Sequence, residues 1–391
     1  MSTLKVGGIR GVSASSDAIT VANDGTCTAN VTSIGGGQLS NRRVNRNGSF
    51  IISQKNSDTE ITLGSSGDRW IDMIQTFLHN TATFKAQRVS DAPAGFQYSA
   101  KHTVSSADSS LAASDEAIFI HRIEGFDAAK FAYGTSGAKQ ITVSFYVKSS
   151  LTGDFSFAAQ TGGRNYVNEY TINSANTWER KSFTLPVLTT GTHNTTNGTG
   201  LSLIWDLGSG DTFATSTLGS WVTASNLYRS TGATRLSTNV NATWQITGIQ
   251  VEEGTVMTDF EHRAFGQELA LCQRYFTLIN ADGSIDSFSP IGIGRFFNAT
   301  EAQIFVPLPT AMRQPPTIEA GSTSAADTFA INFGGGLASA DCNSLALGER
   351  SFTSIVVAAS SASISGQTTG MATTMYSHGS DNAKLGLTAE L

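Results

Sequence analysis

The sequence predicts an all-β protein: a large β-sandwich, then a smaller C-terminal β-sandwich, with a short N-terminal β anchor and one short linking helix. Three observations lead there. Glycine is abundant at 39 residues, charged residues make up only 14%, and Ser, Thr and Asn crowd every row, the composition of many short strands joined by turns. Apolar residues come in short runs or alternate with polar ones. Helical spacing is confined to one stretch near Phe265.

Residues 1–40 form a region of their own. Leu4-Lys5-Val6 and Ala18-Ile19-Thr20-Val21 favour strands, Asn23-Asp24-Gly25 signals a turn, and Thr26 to Val31 supplies a returning strand. Gly35-Gly36-Gly37 reads as a flexible joint. So little apolar surface cannot build a core. This anchor is expected to become ordered by pairing with copies of itself or with another protein.

Residues 41–264 carry the large domain. Val44, Phe50 and Ile52 suggest its first strand, and Asp68-Arg69 suggests an ion pair holding a loop beside a buried Trp70. Ala117 to Ile120 and Ile141 to Val147 are apolar at both parities, as central strands are. Phe155, Phe157 and Ala159 alternate; Tyr166, Tyr170 and Ile172 do so more loosely; Val222 to Tyr228 has no period and reads as a loop. Trp178, Trp205 and Trp244 lie in strand-like runs and are expected in the core. Ile246, Ile249 and Val251 are spaced as in a half-buried sheet edge, which turns at Glu253-Gly254.

The linking helix spans 265–276, with Phe265, Leu269, Leu271 and Cys272 near one face. The C-terminal domain, 277–391, restarts the β pattern with Ile291, Ile293 and Phe296, then Glu301 to Pro307. Pro307, Pro309, Pro315 and Pro316 mark a rigid extended crossing, because proline is confined to sheet edges and turns. Further strands are expected at Phe329 to Phe333, Phe352 to Ala358, Ser361 to Ser365 and Lys384 to Leu387. Apolar content here is thin, so neighbouring copies are expected to cover part of the surface.

Charge and motifs exclude several functions. A net charge of −6 and a pI near 5.5 argue against nucleic acid, which needs a basic footprint. No apolar run has signal-peptide or membrane-spanning length, so no membrane insertion is expected. Cys27, Cys272 and Cys342 share no disulfide or metal spacing and read as buried free thiols made in a reducing cytoplasm. The six histidines form no metal-ligand pattern, and no nucleophile elbow or phosphate-cradling loop occurs, so no metal and no cofactor is assigned. Asp115-Glu116, Glu252-Glu253 and the Asp206/Asp211 loop are the paired acids that glycoside hydrolysis would need. They read as ordinary solvated charges, and no catalytic residue is expected.

Several segments together resemble a known family. Ile249 to Gly254 (IQVEEG), Phe260 to Arg263 (FEHR) and Leu271 to Phe276 (LCQRYF) resemble the closing segment of a carbohydrate-binding-module-like jelly roll found in bacteriophage tail and virion proteins. Upstream, SSGDRW (65–70), IHRIEGF (120–126), ITVSFYVKS (141–149), TWERKSFTL (177–185) and LIWDLG (203–208) follow in the matching order. Phe305 to Thr317 is similar to the segment that follows that helix in phage tail proteins. The resemblance implies a virion protein, exposed on a tail or capsid, that displays a binding domain.

A sugar-binding surface needs aromatic faces for stacking and nearby hydrogen-bonding side chains. Tyr166, with Arg164 and Asn165 after the Gly162-Gly163 turn, is one candidate set; Trp221 and Tyr228, near Asn226 and Arg229, are the other. The expectation is a tail fibre, a homotrimer by analogy with fibres, that contacts a host surface glycan and is tied to another virion protein through residues 1–40. A capsid-decorating head fibre or purely architectural protein is the alternative. A polysaccharide depolymerase is a second alternative, although the long repeat of a β-helix is absent.

Overall fold

A computed structural model describes residues 8–9, 19–21, 27–29 and 40–391, except 57, 65–66, 225, 283–288, 320–327, 334–338 and 379–381. Near the N-terminus Gly8–Ile9, Ile19–Val21 and Cys27–Ala29 pair antiparallel as a small three-stranded sheet. The strand expected at Leu4 to Val6, the Asn23 turn and the Gly35 joint lie outside the described residues.

The large unit is a sandwich of two antiparallel sheets. One has six strands in the order Glu179–Leu185, Ile141–Ser149, Thr243–Glu253, Ser99–Ser106, Thr83–Val89, Ile61–Thr62. The other has seven: Trp221–Thr223, Arg164–Ile172, Gly153–Thr161, Thr199–Asp206, Glu116–Glu124, Ile74–His79, Asp68–Ile71. From Ser99 onward the chain crosses back and forth between the two sheets, which makes it a jelly roll. Between them lies an aromatic core in which Trp205 meets Phe119, Phe145 and Phe157 edge-on and Phe157 stacks on Phe183 at 4.9 Å. Such rings bury about 150–250 Å² each and add directional contacts. His102 also faces this core; it hydrogen-bonds Thr76 at 2.9 Å and meets the edges of Trp70 and Phe119.

Several expectations change at this level. The Thr243–Glu253 strand is not an edge: it lies between two neighbours, and every residue from Trp244 to Glu253 is buried. Residues 42–50 are not a strand. They run irregularly beside this strand where Ser99–Ser106 leaves off, with Val44 N donating to Val251 O (2.8 Å) and the Asn45 side chain bonded to Ile249 O and Val251 N. The polar outward residues of the strand are thereby paired, as when Glu252 accepts from Arg42 (2.7 Å) and from the Thr258 hydroxyl (2.7 Å). Asp68 and Arg69 do not form the ion pair expected of them: Asp68 accepts from Gly64 N, while Arg69 reaches Glu390 at 3.4 Å. Trp178 precedes its strand and is half-buried, with Nε1 donating to Asp91 (3.3 Å). Trp221–Thr223, which overlaps the start of the Val222 to Tyr228 segment read as a loop, is a short edge strand paired with Arg164–Tyr166.

The helix covers Phe265–Gln273, and its buried residues are Glu268 and Cys272, while Phe265 is exposed. Of the expected apolar face, Cys272 is buried with Ile52, Met73 and Tyr275 and Leu269 packs beside them, while Phe265 stays outside and an ionic contact is added. Glu268 receives the Arg43 guanidinium and the Asn47 backbone N–H (2.5 Å), and Arg263 lies 3.6 Å away. A buried carboxylate held by two arginines and an amide specifies where the helix sits, because shifting it would strand the charge.

After the helix a second core forms. Seven antiparallel strands run in the order Ser339–Asp341, Phe329–Asn332, Ala372–Ser377, Pro290–Phe296, Glu301–Pro307, Ser354–Ser360, Ser344–Arg350. A second sheet of Phe276–Asp282, Asn382–Thr388 and Thr317–Ile318 packs on it, with Phe296, Ile304, Phe329, Met375 and Leu385 between. Ser361 to Ser365 is not a strand; Ser344–Arg350 and Ala372–Ser377, unmarked in the sequence reading, are. Cys272 and Cys342 are free and buried.

Side chains from both cores meet at the joint. Arg274 clasps Glu124 through Nε (2.8 Å) and Nη2 (2.6 Å), and Tyr275 OH donates to the same carboxylate. Burial opposes ionisation of Glu124, but these bonds hold it below the usual carboxylate range. Arg313 caps the carbonyls of Asn197, Ala389 and Glu390, and Lys55 pairs with Glu319 and Glu390.

Candidate functional site

The outer face of the sandwich's seven-stranded sheet divides into two halves. Strand registers place Ile120, Ile204, Ala158 and Val167 in one cross-strand row. A strap from Asp211 to Ser230 lies over this apolar row, with Phe213 stacked on Tyr228 at 4.8 Å and Leu218 and Leu227 beside them. The strap is pinned at both ends. Tyr228 OH donates to Glu116, Ser230 Oγ donates to Glu169 (2.5 Å), and Arg229 pairs with Asp211 (2.9 Å).

The adjacent row is polar: Arg122, Ser202, Gln160 and Asn165, ending on Val222. Here the face opens into a groove of about 270 Å³ lined by Gln160, Arg164, Asn165, Ser202 and Asn226, with the Gly162-Gly163 turn at its end. That turn has positive φ at both residues (54° and 71°), the two-residue hairpin geometry that matches strand twist. A Cβ on Gly162 would lie 2.4 Å from Thr192 O, so the close approach also requires glycine.

The candidate residues fall into three groups. Tyr166 and Tyr228, each 2% exposed, are not stacking platforms: Tyr166 faces the core and Tyr228 anchors the strap. Burial raises both phenol pKa values. Asn165 is also buried, and its amide is already bonded to Ala224 O, Leu227 N (3.2 Å) and Gln160 Nε2 (2.7 Å), so it shapes the groove instead of contacting a ligand. Trp221 is half-buried against the core and Nε1 donates to Pro186 O (2.8 Å). Arg164 borders the groove, but it shares the strand parity of Tyr166, so its side chain leaves on the opposite side of the sheet from Asn165. Its guanidinium is held by the hydroxyls of Thr223 and Thr190 (3.2 Å).

Gln160 and Ser202 escaped the sequence reading. The alternation of Phe155, Phe157 and Ala159 does send Gln160 outward, but nothing in the sequence says which outward positions the strap leaves open.

The paired acids are committed elsewhere. Asp206 is buried and accepts from Gly208 N (3.1 Å) and Ser209 N (3.0 Å), with Arg229 at 4.0 Å; burial lifts its pKa to about 6 against those bonds. Asp211 is exposed and bridges Arg229 and Arg235. Glu253 pairs with Lys139 (2.6 Å), and Asp115 accepts from Ala112 N (2.8 Å).

No family model and no curated protein matches the chain. Solved structures do. The enzymatically active domain of tailspike protein 4 of bacteriophage CBA120 is 11% identical over 54% of the chain and 21% of its own length, with a TM-score of 0.27. The chain thus spans about a fifth of that structure. A family 11 carbohydrate-binding module of Clostridium thermocellum, solved with a β-1,3-1,4-mixed-linked tetrasaccharide, is 9% identical over 52% of the chain and 98% of its own length, at 0.25. The CBM22-1–GH10 modules of the Clostridium thermocellum xylanase 10B, complexed with xylohexaose, are 13% identical over 57% and 30% of the two chains, also at 0.25.

Proposed function

We propose that this chain is a bacteriophage virion appendage, a tail fibre that binds a host surface glycan without cleaving it. The observation that carries the reading is the open polar groove. Gln160, Ser202 and Asn226 offer donors and acceptors on a rigid sheet, beside a half covered by the chain's own strap. At about 270 Å³ the groove lies just below the range of about 300–1,000 Å³ typical of drug-sized ligands, which suits the end of a saccharide chain. Hydroxyl-rich ligands are recognised by such side-chain amides and hydroxyls. The resemblance of the closing segment and of Phe305 to Thr317 to phage tail proteins supports the virion setting.

Self-association, as a homotrimer, belongs to the same proposal. The C-terminal seven-stranded sheet leaves Ile293 and Phe305, cross-strand partners, 69% and 50% exposed over a concavity of about 850 Å³. Exposed apolar surface of this kind marks an interaction site. Residues 1–40 would attach the assembly to another virion protein, on the outside of a particle assembled in the host cytoplasm. Purified chain should compete with phage adsorption, and removal of residues 1–40 should abolish incorporation into particles but not glycan binding. Release of fragments from host polysaccharide would overturn the non-catalytic reading; failure to bind any host glycan would overturn the receptor reading.

A further inference from the structure

We propose that a basic pocket beside the linking helix is an anion site that takes a small oxyanion, inorganic phosphate or sulfate. The pocket shares no residue with the groove described above and has a volume of about 240 Å³. Arg43, Arg46, Lys130 and Arg263 line it, with Asp127 as the acid of the lining. Two of these cations come from residues 42–50, one from the turn Ala129–Phe131 and one from the segment that leads into the helix. Shared acids draw their charged groups together. Arg43 is bonded to Glu268, from which Arg263 lies 3.6 Å, and Arg46 is bonded to Asp127, one turn before Lys130.

Two features leave positive charge unmatched there. The first is Lys130. Of the acids near it, Asp127 is bonded to Arg46, Glu253 to Lys139 and Glu261 to the Arg43 backbone N–H (2.7 Å), so Lys130 has no ion pair among the described residues. Even with Glu261 counted beside Asp127 and Glu268, four cations face three acids. The second is a set of buried donors. Arg43, 2% exposed, keeps Nε and Nη1 without a hydrogen-bond partner among the described residues, and Arg46 keeps Nε so. Buried cationic donors left unpaired are costly, and a bound ion or water is the common answer to them. Burial lowers the pKa values of Arg43 and Lys130, and the charge of Arg263 lowers both further against the pull of the acids. An oxyanion supplies acceptors in several directions and makes charge-assisted bonds, roughly twice as strong as neutral ones. A neutral ligand would leave the excess charge in place.

The test titrates the full chain with inorganic phosphate in a calorimeter, at an ionic strength held constant with sodium chloride. One saturable site per chain is expected, and phosphate should raise the melting temperature along the same saturation curve, because it binds the folded chain alone. General salting-out by phosphate would instead rise without saturating. Lys130→Gln removes the cation that has no acid and should weaken the apparent Kd about tenfold. Lys130→Arg keeps the charge and should retain most of the affinity. Lys85→Gln, at an exposed lysine outside the pocket, should change nothing. Absence of saturable binding by the native chain would overturn the inference. So would an affinity that Lys130→Gln leaves unchanged, or one that Lys85→Gln lowers as much.

Discussion

The protein contains two seven-stranded antiparallel sheets, and they treat their outer faces in opposite ways. In the sandwich, Ile118, Ile120, Ala158, Val167 and Ile204 point outward and are roofed by the chain's own strap, leaving only a polar strip open. In the C-terminal unit, Ile293 and Phe305 point outward and stay exposed. The difference shows how a sheet face is finished. A long connection can cover it, as the 36 positions between Asp206 and Thr243 do, whereas the Phe297 to Thr300 turn before Glu301–Pro307 has no length to spare. The self-covered sheet is free to present a groove. The uncovered one leaves Ile293 and Phe305 in solvent.

Removing the strap's anchor should test this contrast most severely. Tyr228→Ala deletes a buried ring, its stack on Phe213 and the bond to Glu116, a loss of about 3–5 kcal/mol for truncating a core aromatic. Urea denaturation followed by tryptophan fluorescence would measure it, since all five tryptophans lie in the sandwich or its edge. A loss below about 1 kcal/mol would mean that the strap does not support the sheet.

Acid should separate the two regions next. Burial holds His102 and His121 near a pKa of about 3, against 6.5 when unfolded, so the unfolded chain takes up two protons that the fold refuses as pH drops below 6.5. Asp206 acts in reverse: its folded pKa of about 6 exceeds its unfolded 3.8, so its contribution grows as pH falls through 6. At about 1.4 kcal/mol per pH unit for each group, the balance is a net loss of about 1.4 kcal/mol per unit as pH falls from 6 to 5. Glu124, held below the usual carboxylate range, extends the loss at lower pH. The sandwich should therefore melt in acid before the C-terminal core. His121, whose ring nitrogens have no partner among the described residues, gives the control: His121→Leu should bring that slope near zero between pH 6 and 5.

The smallest effect on stability should come from the open face. Ile293→Ser and Phe305→Ser alter exposed positions, so unfolding free energy should change by no more than about 0.5 kcal/mol. Sedimentation should nonetheless show the assembled species falling apart. An unchanged mass would mean that this face is not the contact between copies.

Much of the fold is legible in the chain because strands declare themselves by local chemistry. The runs at Ala117 to Ile120 and Ile141 to Val147 become central strands, as apolar residues on both parities require. Trp205 and Trp244 become core for the same reason. Errors arise where a partner distant in sequence decides the outcome. Glu268 is buried in a helix predicted to turn its apolar residues inward, because Arg43, 225 positions earlier, neutralises it. Asp68 and Arg69, adjacent in sequence, point to different partners because Glu390 comes within reach of the arginine.

The candidate site divides in the same way. Sequence located Arg164 and the Gly162-Gly163 turn, since a turn's dihedrals are set by its own residues. It could not tell that Arg164 and Tyr166 take the inward parity of their strand, which leaves Asn165 and Val167 on the outer face. By itself, then, the sequence determined the strand-rich character, the turns and most of the residues that fill the cores, because these depend on side-chain pattern over a few positions. The tertiary structure alone decided which outward faces are covered, which buried charges are paired and where a groove remains open. Those properties depend on segments that meet only after the sheets have formed.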